Sequence, residues 1–219
     1  MSALTKKTNK KWLKKYTKLY YLKEILTDKR LFLGDPKEWP DKNDRHCLLK
    51  YAAYADSSEI RATCLNRGSD RYHFWEVYGE KCDGVCLWFH RDQLIGDIKN
   101  DTSLRSKNVI YKEHKSVACI DPEDVPFAKR KQYKDEVEFR VIRTRSNGCY
   151  HFDFRPNSLA RVYLNPWLEP AEVSHWKREI GRWWGSEYND LCVKQNRSLD
   201  YRKWKDAVTG VLNGNPKQT

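Results

Sequence analysis

A chain of 219 residues has the length of one domain with at most an appendage, and its 39% hydrophobic and 13% aromatic content excludes long disorder outside the ends. Forty-two Lys and Arg against 30 Asp and Glu give a formal charge of +12, which points to a polyanionic partner, nucleic acid before an anionic membrane surface. No apolar run reaches the ~20 residues of a membrane span and no hydrophobic signal core follows the N-terminal lysines, so a cytoplasmic protein with no membrane partner is expected.

Seven cysteines, odd in number and scattered, fit free thiols in a reducing compartment better than a disulfide framework. Cys82, Cys86 and His90 recur every four residues. The segment Cys82–Phe89 reads as a strand, however, and at ~3.3 Å per residue Cys82 and Cys86 stand about 13 Å apart, too far to share a zinc ion. No metal is expected.

In chain order, residues 1–11 are lysine-rich without apolar periodicity and read as a basic arm. Trp12–Tyr16 is a short first strand, Leu19–Leu26 a short buried helix and Lys29–Gly34 a second strand. Prolines and aspartates make Asp35–Asp44 a loop. Launched from a strand and holding Trp39 as an anchor with Asp41 beside it, this loop is a candidate substrate-binding element, though a turn with helix-capping aspartates fits it equally. His46–Ala55 reads as a helix with Asp44 as its N-cap, and Ile60–Leu65 as a strand. In Tyr72–Gly79, Trp75 and Tyr78 share one side of a helical turn that Gly79 ends. These two rings either sandwich a planar ligand or fill the core. Gly84–Phe89 is a compact apolar strand.

Asp92–Lys107 is polar and reads as a helix followed by a loop, and Val109–Tyr111 as a strand. Phe127–Lys131 follows, in which Lys129, Arg130 and Lys131 favour an anionic group such as a pyrophosphate or a nucleic-acid backbone, or else form a solvated face. Tyr133–Ile142 is the stretch around which the rest is organised. Val137, Phe139, Val141 and Ile142 predict a strand, and period-two alternation puts Glu136, Glu138 and Arg140 on one face. Arg140 then holds Glu138 ionised while Glu136 contacts something else; an ordinary cross-strand ion pair is the alternative.

After a Ser146–Gly148 turn, Cys149–Phe154 and Leu159–Leu164 read as strands. Pro170–Trp184 is a helix with Val173, Trp176, Ile180, Trp183 and Trp184 at helical spacing, Pro170 in its first turn and Gly185 at its stop. A short strand at Leu191–Val193, a basic end over Asn196–Lys205 and a loose tail over 213–219 complete the chain. Strands that rarely alternate with long helices predict one α+β domain over 12–212, mainly antiparallel, with short peripheral helices.

The order of these motifs resembles a bacterial and phage family, a domain of unknown function met among phage-defence and toxin-like genes. The resemblance is carried by Lys15-Tyr16, by Leu31–Leu33 with Pro36–Asp44, and by Phe74-Trp75 through Tyr78 to Gly84–Cys86 and Phe89. It continues through Val109, Tyr111, Phe127–Arg140 and Val162–Pro166. The chain departs from the pattern at Pro40, where the family has Asn, and at Gly34-Asp35, where it has a small polar pair.

The layout is also similar to that of ADP-ribosyltransferases: a first strand, a short helix, a second strand, and much later a strand bearing the catalytic Glu. That resemblance implies Glu138, or Glu136 in a Glu-x-Glu arrangement, as the catalytic carboxylate with Arg140 beside it. It implies NAD as substrate, held by Lys15 and Tyr16 with Trp75 or Tyr78, and the acceptor near Trp39, Asp41, Lys129 and Arg130. Breaking the nicotinamide glycosidic bond develops an oxocarbenium ion that a nearby carboxylate stabilises. With a +12 chain the acceptor is expected to be RNA or single-stranded DNA, modified by a toxin or phage-defence effector, with an antitoxin protein as a further partner. The alternative is a non-catalytic basic nucleic-acid-binding domain in which Glu138 and Arg140 form a structural ion pair.

Overall fold

The computed structural model describes residues 11–79, 83–145, 148–185 and 190–213. Strand β1 (Trp12–Lys18) runs directly into helix α1 (Leu19–Asp28), followed by β2 (Arg30–Phe32), α2 (Lys42–Tyr54), β3 (Ile60–Asn66) and α3 (Tyr72–Gly79). Next come β4 (Gly84–His90), α4 (Arg91–Asn100), β5 (Leu104–Asn108), β6 (Ile110–Lys112), β7 (Ala128–Arg130) and β8 (Glu138–Thr144). The chain continues through β9 (His151–Asp153), β10 (Leu159–Leu164), α5 (Pro170–Trp184), β11 (Cys192–Gln195) and α6 (Arg202–Leu212).

Seven strands form one sheet in the order β11-β10-β4-β1-β3-β8-β5. Every pair in it is antiparallel except β10 with β11. Two ribbons, β2–β9 and β6–β7, flank it. The expectation of an α+β, mainly antiparallel fold with short helices holds. Among the described residues no helix is long and apolar enough to cross a membrane.

The register decides what each face carries. Lys14 stands opposite Asn66 and Asn66 opposite Glu138, while Cys64 stands opposite Arg140. Alternation therefore puts Tyr16, Cys64, Glu138, Arg140 and Ile142 on one face, and Leu13, Leu65, Phe139 and Val141 on the other. That second face is one continuous core, closed by Leu22 and Leu26 of α1, Leu94 and Ile98 of α4, and Ile180 and Trp184 of α5. Each such side chain contributes about 1.5–3 kcal/mol by leaving water. The first face has two separate apolar patches. Leu48, Tyr51 and Ala52 of α2 pack on Ile60, Ala62 and Ile142, and Phe74 and Trp75 of α3 pack on Tyr16 and Cys86. Glu138 and Arg140 occupy the same face between these patches.

Helix α5 begins and ends where its sequence says. Pro170 sits in the first turn, Glu169 and Glu172 form a reciprocal capping box, and Gly185 stops it at φ 78°. Strand β10 and helix α3 also keep their predicted bounds.

Four expectations need correction. The helix read as starting at His46 starts at Lys42, and its N-cap is Asp41, whose side chain accepts the N–H groups of Asn43 and Asp44. Asp44 lies one turn inside and is buried. Asp92–Lys107 is not a helix and loop throughout, because Leu104–Asn108 forms the edge strand β5, whose polar composition suits an exposed edge but hides it from an apolar-pattern search. The basic end over Asn196–Lys205 leads into helix α6, which starts at Arg202 and runs to Leu212 with none of its residues buried. Finally, Tyr133–Ile142 is not one strand: Lys131–Glu136 is a 3-10 turn, Val137 is left-handed, and β8 begins at Glu138. The basic arm over 1–10, Cys82, the Ser146-Asn147 part of the turn and the tail over 214–219 lie outside the described residues.

Candidate functional site

The break before β8 builds the site. The 3-10 turn ends at Val137 with φ 44° and ψ 52°, a region in which a β-branched residue is strained. Hydrogen bonds hold the distortion from both sides. The Arg67 N–H donates to the Val137 carbonyl at 2.9 Å, the Val109 N–H to the Glu138 carbonyl at 2.9 Å, and the Asn66 side-chain amide to the Glu136 carbonyl. Glu136 and Glu138 thus meet on one side of the sheet, as expected, but through a left-handed residue rather than strand alternation.

Arg140 is fully buried, and its guanidinium uses four N–H···O bonds. Nη1 and Nη2 reach the two carboxylate oxygens of Asp44 at 2.7 Å each, Nε reaches Glu138 Oε1 at 2.6 Å, and Nη1 also reaches the Pro126 carbonyl at 2.9 Å. The Trp39 ring lies 5.5 Å from the guanidinium carbon. Lys129 approaches from β7, with its ammonium 2.7 Å from Glu136, 3.5 Å from Asp44 and 3.6 Å from Glu138. The Tyr133 ring lies 4.7 Å from that ammonium, and the Tyr111 hydroxyl accepts the Glu138 N–H at 2.8 Å. Three carboxylates, Asp44, Glu136 and Glu138, thus share the cations of Arg140 and Lys129.

The carboxylates differ in their surroundings. Burial pushes the Glu138 carboxyl up, but the Arg140 guanidinium, then Lys129, outweigh it and bring it down to about 2. Burial pushes Glu136 up, and the opposing Lys129 ammonium and Tyr78 hydroxyl do not fully cancel it, so it sits above the ordinary carboxylate range. Burial pulls Lys129 down, yet Glu138, Asp44 and Glu136 together raise it. The Glu136 side chain is 19% exposed, against 4% for Glu138 and 2% for Asp44. One acid of the cluster therefore meets solvent with a raised affinity for a proton.

Of the residues expected to hold a dinucleotide, only Tyr78 is exposed beside Glu136, and burial followed by the Glu136 charge raises its hydroxyl. Tyr16 and Trp75 are buried in edge contact, and both donate to Asp70 Oδ1, the indole at 3.1 Å. Asn196 donates to Asp70 Oδ2 at 2.6 Å, so this hub ties β1, α3 and the segment after β11 together. Both rings therefore lie in the core, bound to Asp70. Lys15 spans the opening between β1 and β3, which pair only at Lys14, and donates to Thr63 Oγ1 at 2.8 Å and to the Cys64 carbonyl at 3.4 Å. Burial lowers its ammonium.

Among the expected substrate contacts, Trp39 and Lys129 belong to the cluster, Asp41 adjoins it at the start of α2, and Arg130 is exposed at the rim. Asp44, Tyr111 and Tyr133 were not singled out from the sequence as site residues. The available signal for Asp44 was its spacing of three from Asp41 at the head of an apolar helix, which marks one turn. The six described cysteines are free thiols. Among the described residues no group of His, Cys, Asp and Glu is placed to hold a metal ion. No protein-family model, curated protein or solved structure matches this chain.

Proposed function

We propose that this protein transfers ADP-ribose from NAD to nucleic acid, with Glu136 as the reacting carboxylate. The observation that supports this reading is the asymmetry of the cluster: Glu138 and Asp44 are spent on Arg140, whereas Glu136 is partly exposed between Lys129 and Tyr78. In the reaction the bond from the ribose anomeric carbon to the nicotinamide nitrogen breaks, and its electron pair leaves with nicotinamide. Glu136 stabilises the oxocarbenium ion. An acceptor lone pair closes the new bond to the anomeric carbon and the acceptor's proton passes to Glu136 or water. Preorganised charge of this kind contributes about 10²–10³ in rate. The exposed ring of Tyr78 and the half-buried ring of Tyr133 offer faces for the planar nicotinamide. Glu138, Arg140 and Asp44 act as positioning residues.

Label transfer from NAD to total RNA, denatured DNA or cell protein tests the reading. Wild type should label one nucleic acid, and Glu136→Gln should lose at least 100-fold of that activity while remaining folded. No transfer and no NAD consumption by wild type would overturn it. Helix α6 favours a second reading, non-catalytic nucleic-acid binding. It presents Trp204, 69% exposed, with Arg202, Lys203 and Lys205 around it, a combination suited to stacking on unpaired bases. Binding that survives Glu136→Gln with no turnover in wild type would leave that reading standing.

A further inference from the structure

A cleft of about 500 Å³ opens between the start of α2, the 3-10 segment His114–Cys119 and the β6–β7 ribbon. Asp44 and Lys129 line it, so it adjoins the charge cluster directly. Three of its features point to a ligand.

Lys112 and Arg130 stand opposite one another across the parallel β6–β7 pair. Neither has an ion-pair partner among the described residues, whereas the adjacent Lys131 is paired with Glu113 at 2.5 Å. Like charges placed opposite each other in a sheet repel, and an anion between them removes the repulsion. The second feature is Asp41. Its Oδ1 caps α2, accepting from the Asn43 N–H at 2.9 Å and the Asp44 N–H at 3.3 Å, but its Oδ2 is shut off from water with no hydrogen-bond partner. A buried carboxylate oxygen needs a donor. Third, Val117, itself half exposed, lines the cleft with Ile120 and Val125 as an apolar wall.

A ligand for this cleft carries an anion, a hydroxyl or amine donor, and a flat apolar part. Inorganic phosphate leaves Asp41 without its donor, and a dicarboxylate meets it with a like charge. We propose that the cleft binds a ribonucleoside phosphate, with the phosphate between Lys112 and Arg130, the base against Val117 and Ile120, and the ribose beside the Asp41 carboxylate, whose Oδ2 gains its donor when the side chain turns toward the cleft. Its role as the acceptor subsite rests on the transfer reading above; binding does not.

The test is calorimetric titration of the full chain with AMP, adenosine and inorganic phosphate, and separately with a short single-stranded RNA with and without a 5′ phosphate, all in the absence of NAD. AMP should bind wild type at least tenfold more tightly than adenosine or phosphate. Lys112→Ala with Arg130→Ala should weaken AMP at least tenfold, and Asp41→Asn, which keeps the helix cap, should erase the advantage of AMP over phosphate. If only the phosphorylated RNA shows these losses, the nucleoside phosphate is the end of a strand rather than a free nucleotide. Equal affinity of wild type and the double variant for AMP and RNA alike would overturn the proposal. The double variant should also melt at the wild-type temperature or higher, since it removes a repulsion; a fall of several degrees would show that the two cations are structurally paired. Binding without NAD turnover sinks the transfer reading and keeps the cleft, while turnover with binding indifferent to these substitutions does the reverse.

Discussion

Two arginines three residues apart on β8 are both buried, Arg140 completely and Arg143 to 3% exposure, yet they do different work. Arg143 donates to Asp101, to the Ser103 hydroxyl at 2.9 Å, and to the Cys149 and His151 carbonyls at 2.8 Å each. One carboxylate balances its charge, and the remaining bonds tie two loops to the strand. Arg140, on the opposite face, holds two carboxylates, and a second cation brings in a third acid that reaches solvent. A buried guanidinium is therefore no sign of a functional site by itself. The informative feature is acid in excess of what the guanidinium needs, placed where a ligand can reach it.

Removing each arginine should separate the two roles. Arg140→Met leaves Asp44 and Glu138 buried without their cation and should destabilise the protein by about 3–5 kcal/mol in urea unfolding. Arg143→Met should cost about 1–3 kcal/mol, because Asp101 is about one-third exposed and can turn to water. That variant should also become sensitive to protease near 101–103 and 148–151, with NAD turnover and nucleic-acid binding unaltered. Equal losses from the two substitutions would erase the distinction.

The same contrast predicts opposite pH behaviour within the cluster. Glu138 has its folded value depressed to about 2 from an ordinary 4.5, so its stabilisation is complete above pH ~4.5 and is lost as pH falls toward 2. The lost stability amounts to about 3 kcal/mol. Glu138→Gln should flatten the acid limb of a stability-pH curve. Glu136 has its folded value raised, so folding favours its protonated form and ionisation above its ordinary range costs stability. Glu136→Gln should accordingly leave neutral-pH stability within about 1 kcal/mol of wild type, or raise it, while abolishing transfer. A large destabilisation would mean that Glu136 is as structural as Glu138.

The smallest effect belongs to Val137. At φ 44°, Val137→Gly trades packing against Gly68 for relief of left-handed strain, with a net change within about 1 kcal/mol. At Val141, fully buried in the same β8, the identical change should cost about 3 kcal/mol or more. Thermal midpoints of the two variants check this pair directly.

Much of the architecture was readable from local pattern. Helices α3 and α5 and strand β10 were legible because apolar spacing and end signals such as Pro170 and Gly185 are written within the segment. Strand β5 and helix α6 were missed for complementary reasons: one is a polar edge strand, the other an amphipathic helix none of whose residues is buried. Glu136, Glu138 and Arg140 were marked as site residues from strand alternation and the transferase-like layout, and Lys129 from its charge. The burial of Tyr16 and Trp75 against Asp70 was not legible, because an aromatic ring near a carboxylate reads the same in sequence whether it faces a ligand or a buried aspartate.

By itself the sequence determined the fold class, the positions of most elements and the presence of acids and bases around residues 129–140, since periodicity and charge are local properties. Only the tertiary structure decided which acid is left over. Asp44 is 96 residues from Arg140, and its bidentate grip depends on α2 crossing the face of β8. The left-handed turn at Val137 depends on bonds from Arg67 and Asn66. Those long-range contacts bury Glu138 against Arg140 and leave Glu136 partly exposed.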